Sequence, residues 1–255
     1  MVIGGSMDLD ETLFGGQSFS WVKEDDTYIS VLNNKVYKIK SLLDCENDDF
    51  LISYFDLNYD YDEARRYLSS LDVHLNNAVK EFPDLRILKQ DPVTTLIMFI
   101  VSQRNNIKRI TNTHQNICQM FSKKVGDYYS FPSIEELKKV NPEDLDSLKL
   151  GFRKPYILDA LTKLDITENI KSLNCDDKKT ELLKIKGVGT KVADCILAFA
   201  YQERNVFAKD VWINRVLDVL YPGLSEDIFY PYKALAGQYL FSYARRHPEL
   251  FTKNK

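Results

Sequence analysis

The chain has 255 residues, of which 44% are hydrophobic and 28% are charged, and its formal net charge is −3. This composition is typical of a folded protein with one large domain or two small ones. No apolar run approaches the roughly 18 residues of a membrane-spanning helix, so the sequence predicts a protein without membrane contact.

The N-terminus lacks the basic and apolar regions of a signal peptide, so we expect a cytoplasmic protein. Residues 1–6 are interpreted as a cloning remnant, with Met7 as the natural start. Cytosolic cysteines stay reduced, and the sequence has no CxxC pair of the kind that binds zinc or an iron–sulfur cluster. Free thiols are therefore expected at the four cysteines, which are Cys45, Cys118, Cys175 and Cys195.

Short stretches of alternating polar and apolar residues predict an antiparallel sheet near the N-terminus, with strands at residues 17–22, 28–32 and 35–40. Asn33 and Asn34 separate the last two strands, and asparagine tolerates the positive φ angles of a two-residue hairpin turn. The apolar residues expected on one face of this sheet are Ile29, Val31, Tyr37 and Ile39. We predict that residues 7–75 form a small β-rich domain.

From about residue 57 onward, apolar residues recur at spacings of three and four, which predicts helices. Asp91 before Pro92 is a typical helix start, and a helix that begins at Pro142 is expected to end at Gly151. Further helices are expected at residues 62–71, 73–82, 92–101, 107–121, 155–164, 177–184, 190–202, 211–220 and 231–246. The predicted fold class is α+β and mostly α. A small antiparallel sheet is followed by a helical domain at residues 76–255, whose last helix packs back toward the first domain.

The most informative stretch is residues 182–217, in which two predicted helices flank the tight turn Gly187-Val188-Gly189. The two glycines let backbone N–H groups point outward at the positive end of the second helix, where they can bind a phosphate. Lys184 and Lys186 flank the turn. Taken alone, such a turn is more often an ordinary connection between helices.

Two ionisable residues follow this turn. Lys191 lies in the first turn of the second helix, where the helix dipole disfavours the charged ammonium. A neutral amine is the form that nucleophilic attack requires. Asp210 comes nineteen residues later and is placed to cap the next helix. A fixed carboxylate beside such an amine suits a reaction that passes through a cationic sugar, although each residue alone is more often a solvated lysine or a plain helix cap.

Several motifs occur together in one order along the chain. They are GQSFSW at residues 16–21, QDP at 90–92, SQRNNIKRI at 102–110, LGFR at 150–153, GVGTKVADC at 187–195, KDVW at 209–212 and LF at 240–241. In this combination the chain resembles the helix–hairpin–helix (HhH-GPD) DNA glycosylases. The lysine in GVGTK is similar to the catalytic lysine of their 8-oxoguanine DNA glycosylase branch.

The resemblance implies a base-excision repair enzyme that flips an oxidised purine out of double-stranded DNA. It implies that Lys191 attacks the sugar and that Asp210 stabilises the cationic state, with lyase activity following through a Schiff base. It implies no organic cofactor and no catalytic metal, and it leaves room for a structural alkali ion at the hairpin carbonyls. We further expect a monomer, located at the nucleoid if the source is bacterial.

The resemblance also assigns roles to other residues of this chain. The base pocket is expected from Gly16, Cys195, Phe241 and Gln238. The opposite base and the wedge are expected from Arg104, Arg109, Phe152 and Arg153, and contacts to the DNA backbone are expected from Lys186, Gly187, Gly189 and Lys191. A basic DNA face is predicted from Arg104, Lys108, Arg109, Arg153, Lys154, Lys184 and Lys186.

The chain departs from the family pattern at two positions that bear on substrate choice. Arg104 stands where the family has an asparagine, and Gly237 stands where a glutamine reads the base edge. Gln238 is the next residue, about 100° around the helix. Relaxed discrimination among 8-oxopurines is therefore expected. Two alternatives stay open: a glycosylase of the same fold for another modified purine, and a DNA-binding module without catalysis.

Overall fold

The computed structural model describes residues 9–251, so the interpretation of residues 1–6 and of Met7 lies outside the described residues. A three-stranded antiparallel sheet is formed by β1 (Val22–Glu24), β2 (Thr27–Leu32) and β3 (Lys35–Ile39), with β2 in the middle. The turn between β2 and β3 has positive φ angles of 48° at Asn33 and 57° at Asn34, as expected for a two-residue hairpin.

The sequence prediction was wrong in part of this N-terminal segment. Residues 17–21 are not in a strand, and two helices flank the sheet, α1 (Asp10–Phe14) and α2 (Asp49–Tyr54). The buried Gln17 side chain donates to the carbonyl of Arg86 at 2.7 Å and accepts from the amide of Leu88 at 2.8 Å. Residues 17–21 are therefore held by hydrogen bonds to a distant segment, and these bonds replace the pairing that a strand would make.

The prediction that four apolar residues share one face of the sheet was also wrong. The two-residue turn pairs Leu32 with Lys35, and this register places Ile29 opposite Lys38 and Tyr37 opposite Ser30. Residues directly opposite each other share a face, and neighbours along a strand alternate between faces. Ile29 and Tyr37 consequently point to opposite sides of the sheet.

The rest of the chain is mainly helical, as predicted. The helices are α3 (Tyr61–Leu71), α4 (Val73–Glu81), α5 (Pro92–Val101), α6 (Ile107–Phe121), α7 (Ile134–Leu137), α8 (Lys154–Leu161), α9 (Ile166–Asn169), α10 (Cys175–Leu182), α11 (Thr190–Ala200), α12 (Val211–Leu220) and α13 (Lys233–Arg246). A short hairpin of β4 (Lys124–Val125) and β5 (Tyr128–Tyr129) follows α6, and short 3-10 turns occur at Leu42–Cys45, Pro142–Leu148, Gly151–Arg153, Glu226–Phe229 and Pro248–Phe251.

The segment before α8 differs from its prediction. The helical turn that begins at Pro142 ends at Leu148, and the residue after it, Lys149, takes the left-handed conformation with φ of 50°. Gly151, with φ of 60°, begins the next short turn instead of ending the previous one. The chain thus changes direction twice just before α8.

Two hydrophobic clusters form the interior. The smaller cluster packs the sheet against α1 and α2 around Trp21, and the larger one extends through the helices after residue 57. The buried helix α5 packs against α11, and α13 packs against α4 and α12. The predicted boundary between two domains at residue 75 stays a prediction. Helix α4 spans this position. Within residues 9–251, none of the helices has the length and apolar composition of a membrane span.

The last long helix, α13, makes two polar contacts with the N-terminal segment. The Gln238 side-chain amide donates to the Gly15 carbonyl at 3.0 Å, and the Arg245 guanidinium lies 3.7 Å from the Glu11 carboxylate. These contacts hold α13, near the end of the described chain, against the segment at its beginning.

Candidate active site

A pocket of about 510 Å³, including its open mouth, lies where α5, α11, α12 and α13 meet the N-terminal segment. Its walls are formed by Gly16, Phe99, Lys191, Cys195, Ala198, Phe199, Val206, Ala208, Asp210, Ile213, Ala234, Gly237, Gln238 and Phe241. Every residue predicted as catalytic or as part of the base pocket is in that set. The structure therefore brings together residues that lie up to 225 positions apart, from Gly16 to Phe241.

The turn between α10 and α11 requires glycine at one of its two glycine positions. Gly187 has φ of +85°, and a Cβ atom there would lie 2.3 Å from the ring of Tyr156. The Gly187 carbonyl accepts a 3.0 Å hydrogen bond from the side chain of Gln103. Gly189 is the N-cap of α11 and provides no side chain to bind the first amides of that helix. Those amides are therefore available to an anion.

We expect Gly187→Ala to destabilise the protein by about 2 kcal/mol or more, because both the left-handed backbone and the clash with Tyr156 act against the added methyl group. Gly189→Ala is the matched control. Its φ is ordinary and no atom lies within 4 Å of the added Cβ, so a loss below about 1 kcal/mol is expected. Denaturant unfolding of the two variants measures the difference, and equal losses would contradict this account of the turn.

Lys191 lies in the first turn of α11 and is half-buried at the pocket wall. Its ammonium lies over the face of Phe99, with Nζ 5.2 Å from the ring centroid. An aromatic face attracts the cation only weakly, so this neighbour leaves Nζ able to react. The side chain thus presents an amine to the pocket from a fixed helix start.

Asp210 is the N-cap of α12, as predicted. Its Oδ1 accepts a 2.8 Å hydrogen bond from the Ile213 amide. The carboxylate is half-buried and lines the same pocket as Lys191. A helix N-terminus favours a negative charge, so the capping contact fixes an anionic group at this wall.

Cys195 lies one helical turn after Lys191 and is 4% exposed. Burial raises the pKa of the Cys195 thiol, and the nearby Lys191 opposes that rise without cancelling it. The thiol is therefore neutral at neutral pH and packs as a small apolar group.

Among residues 9–251, no group of three or more His, Cys, Asp or Glu side chains is arranged to hold a metal ion.

Gly16 and Phe241 meet at the lining of the same pocket. Gly16 has φ of +90°, and a Cβ atom there would lie 3.3 Å from the Phe241 ring and 3.4 Å from Ile107. A larger residue would combine backbone strain with crowding. This close approach lets the backbone of residue 16 form part of the wall.

Both Gly237 and Gln238 line the pocket, as predicted for Gln238. At about 100° per residue, the pair lies about 50° to either side of the line through Ala234 and Phe241, which also line the pocket. A Cβ at Gly237 would lie 3.2 Å from the buried ring of Phe207, which stacks on Phe229. A side chain at 237 would therefore require the Phe207 ring to shift by a few tenths of an ångström. For a glutamine there, crowding against Phe207 opposes the gain in helix propensity.

The assignment of Arg153 to a DNA-facing surface requires correction. This residue is 5% exposed. Its guanidinium donates to the carbonyls of Gln103, Arg104 (2.8 Å) and Leu150 (3.2 Å). These bonds hold the loop after α5, in which Arg104 has a left-handed φ of 48°. In this structure Arg153 supports that loop.

The other predicted wedge and DNA-contact residues are at the surface. Phe152 is 48% exposed and makes an edge contact with Tyr156. Arg109 is exposed, and its guanidinium donates to the Lys149 carbonyl at 3.0 Å. Arg104 and Lys186 are exposed as well. Exposed aromatic rings and exposed cations are the side chains that surfaces use to bind DNA.

Three contacts in or near the pocket were not predicted from the sequence. Phe99 lies beneath Lys191, Phe207 lies beside Gly237, and Gln90 donates to the carbonyl of Gln17 at 2.6 Å. Each contact joins segments at least 30 residues apart, and local periodicity carries no signal for such pairs. Only the apolar character of Phe99 and Phe207, which predicts burial, was visible in advance.

Two family models of known proteins match this chain, one in its N-terminal part and one in its helical part. Residues 3–96 match the family model "8-oxoguanine DNA glycosylase, N-terminal domain", and residues 97–226 match "HhH-GPD superfamily base excision DNA repair protein". The crystal structure of the Clostridium acetobutylicum 8-oxoguanine glycosylase/lyase, in complex with DNA containing cytosine opposite 8-oxoguanine, superimposes with a TM-score of 0.86 and 32% identity. That comparison covers 95% of this chain and 93% of the other.

Two curated relatives are similar over most of the chain. The N-glycosylase/DNA lyase of Saccharomyces cerevisiae is 27% identical over 82% of this chain, and the matched region is 66% of the yeast protein. A probable N-glycosylase/DNA lyase of Methanothermobacter thermautotrophicus is 28% identical over 75% of this chain and 73% of its own length. The chain thus spans just under two thirds of the yeast relative.

Proposed function

The chain belongs to the HhH-GPD superfamily of base excision DNA repair proteins, in its 8-oxoguanine DNA glycosylase branch, and from that premise we propose that it excises 8-oxoguanine from duplex DNA and then cleaves the strand as a lyase. The single observation that carries this proposal is the convergence of Lys191, Asp210 and the base-pocket residues on one pocket. A target base in duplex DNA lies inside the stack, so it must be flipped out to reach such a site.

Lys191 is the proposed nucleophile. Its neutral amine attacks the sugar C1′ as the bond from C1′ to the base nitrogen breaks, and the base leaves with that electron pair and takes up a proton. Opening of the sugar ring then gives a Schiff base between Nζ and C1′. Loss of a C2′ proton expels the 3′ phosphate, and hydrolysis frees the lysine. The alternative nucleophile in the pocket is the Cys195 thiol, which burial keeps in its less reactive neutral form.

Asp210 is proposed to stabilise the cationic sugar that develops as the base departs. A carboxylate held by the Ile213 amide needs no reorganisation when positive charge appears. Its place in the same pocket as Lys191 also suits a role in orienting the amine.

We propose that fewer of the predicted cations contribute to the DNA face than the sequence indicated. Arg153 is buried, Lys154 is paired with Asp146 at 2.5 Å, and Lys184 is paired with Glu181. The predicted cations that are exposed and outside the ion pairs of the described residues are Arg104, Lys108, Arg109 and Lys186. Together with the α11 amides they provide the positive surface that binding of duplex DNA requires, despite the net charge of −3.

We expect duplex affinity to fall with salt at a slope of about 3.6 on logarithmic axes, since four cations each contribute about 0.9. Lys186→Ala should reduce that slope by about 1. Lys154→Ala is the control, because this lysine is already paired, and it should change the slope less. Titrations of labelled duplex at several salt concentrations measure the slopes. An affinity that does not vary with salt would contradict this face.

The remaining roles are proposals of the same kind. The chemistry above needs neither an organic cofactor nor a catalytic metal. At the hairpin, the carbonyls of Lys184 and Gly187 each accept a side-chain hydrogen bond at 3.0 Å, from Lys163 and Gln103, so a structural alkali ion that used either carbonyl would share it with that donor. We also propose a monomer acting on double-stranded DNA, in the cytoplasm or at the nucleoid.

The test of the proposed function is a set of duplexes that carry 8-oxoguanine, 8-oxoadenine, 3-methyladenine or undamaged guanine opposite each of the four bases. We expect release of 8-oxoguanine followed by strand cleavage. Release of 3-methyladenine alone would instead favour a glycosylase for other modified purines, and binding without any release would favour a non-catalytic DNA-binding module.

A further inference from the structure

The turn formed by Gly15, Gly16 and Gln17 is held from both sides at the rim of the pocket. Gln238 on α13 donates from its side-chain nitrogen to the Gly15 carbonyl at 3.0 Å. Gln90, just before α5, donates in the same way to the Gln17 carbonyl at 2.6 Å. Two amide side chains from different parts of the fold thus hold the carbonyls on either side of Gly16.

The turn is also tied to the segment behind it. The fully buried Gln17 side chain makes two hydrogen bonds to the backbone of Arg86 and Leu88, at 2.7 and 2.8 Å. Since a buried, paired amide is costly to displace, the peptide units around Gly16 have little freedom to rotate. The middle carbonyl, that of Gly16, accepts no hydrogen bond from residues 9–251.

This leaves one uncommitted backbone acceptor at the wall of the pocket that contains Lys191 and Asp210. Gly16 is half-buried, and an unpartnered carbonyl there favours a ligand that donates a hydrogen bond. The Gly16 backbone can approach a ligand closely, because the residue has no side chain and lies against Phe241 and Ile107.

We infer that Gln238 is a positioning residue for base recognition, acting through the Gly15 carbonyl to hold the Gly16 peptide against the flipped base, and that Gln90 does the same from the other side. The inference rests on the proposed function. Gln238 is 6% exposed and its amide N–H is engaged with Gly15. We assign its recognition role to this contact with the backbone, which Gln90 matches from the other side, and a side chain at position 237 would be crowded by Phe207.

The test compares two activities of each variant under single-turnover conditions: excision of 8-oxoguanine from duplex DNA, and cleavage of a preformed abasic site, which contains no base to recognise. Gln238→Met keeps the side-chain size and removes the amide. The ratio of the excision rate to the abasic cleavage rate is expected to fall about tenfold, which corresponds to one lost hydrogen bond. Gln119→Met, on the exposed surface of α6, is the control and should leave the ratio as in the wild type.

Gln90→Met is the second variant, and it keeps the inference testable if Gln238→Met folds poorly. It should lower the same ratio. Equal losses of both activities in the two variants would assign these residues a structural role and overturn the inference, as would an unaltered ratio in both. Failure of the wild type to excise 8-oxoguanine would be a distinct result that overturns the proposed function and the inference with it.

Discussion

Lys191→Gln is expected to abolish base excision and to prevent trapping of the protein on DNA by borohydride, while the protein still folds and binds the lesion. The side chain is half-buried at the pocket wall and is not part of the buried core, so an uncharged residue of similar length should be tolerated. Removing a catalytic nucleophile typically lowers a rate by about 10⁴-fold or more. Single-turnover excision assays, with melting curves and duplex titrations alongside, measure all three properties.

The matched control is Lys186→Gln, which removes a lysine from the same hairpin. Lys186 is exposed at the surface, and its proposed partner is a phosphate. This variant should bind duplex more weakly and should still be trapped by borohydride. Excision at the wild-type rate by Lys191→Gln would show that Lys191 is not the nucleophile.

Asp210→Asn is expected to slow excision by about 10²–10³-fold, the usual effect of removing one preorganised charge-stabilising group. Asparagine caps helices as well as aspartate does, so the hydrogen bond to Ile213 and the melting temperature should be retained. Binding to the lesion should change far less than the excision rate, because the carboxylate acts on charge that develops in the transition state.

A second capping aspartate provides the comparison for this result. Asp60 accepts a hydrogen bond from the Glu63 amide at the start of α3 and is exposed. Asp60→Asn should alter neither excision nor binding. If Asp210→Asn weakens binding and excision equally, or lowers stability alone, then Asp210 is a helix cap without a role in the chemistry.

Much of the helical part of the fold could be predicted from the sequence, because its signals are local. α12 begins and ends where its cap and periodicity place it, and α5 begins at Pro92 after its Asp91 cap. The N-terminal segment was harder to predict. Residues 17–21 alternate like a strand, yet the Gln17 amide pairs with the backbone of residues 86 and 88, and such long-range pairing overrides strand propensity.

In the site, too, features with a local sequence signal could be predicted and long-range contacts could not. The motif that contains Lys191 and the cap at Asp210 could be recognised, and the fold places both at one pocket. The burial of Arg153 could not be predicted. An arginine that binds a backbone carbonyl 50 positions away has the same local sequence as one that faces DNA. Gln238 is a similar case: its partner, the Gly15 carbonyl, lies 223 positions away.

The central claim is that the amine of Lys191 forms the covalent bond to DNA. Its most direct test is to trap the wild-type protein on a duplex containing 8-oxoguanine with borohydride, digest the complex, and locate the reduced sugar adduct by mass spectrometry. We expect the adduct on the peptide containing Lys191, at that residue. An adduct on another amine, or base release with no covalent complex, would contradict the claim.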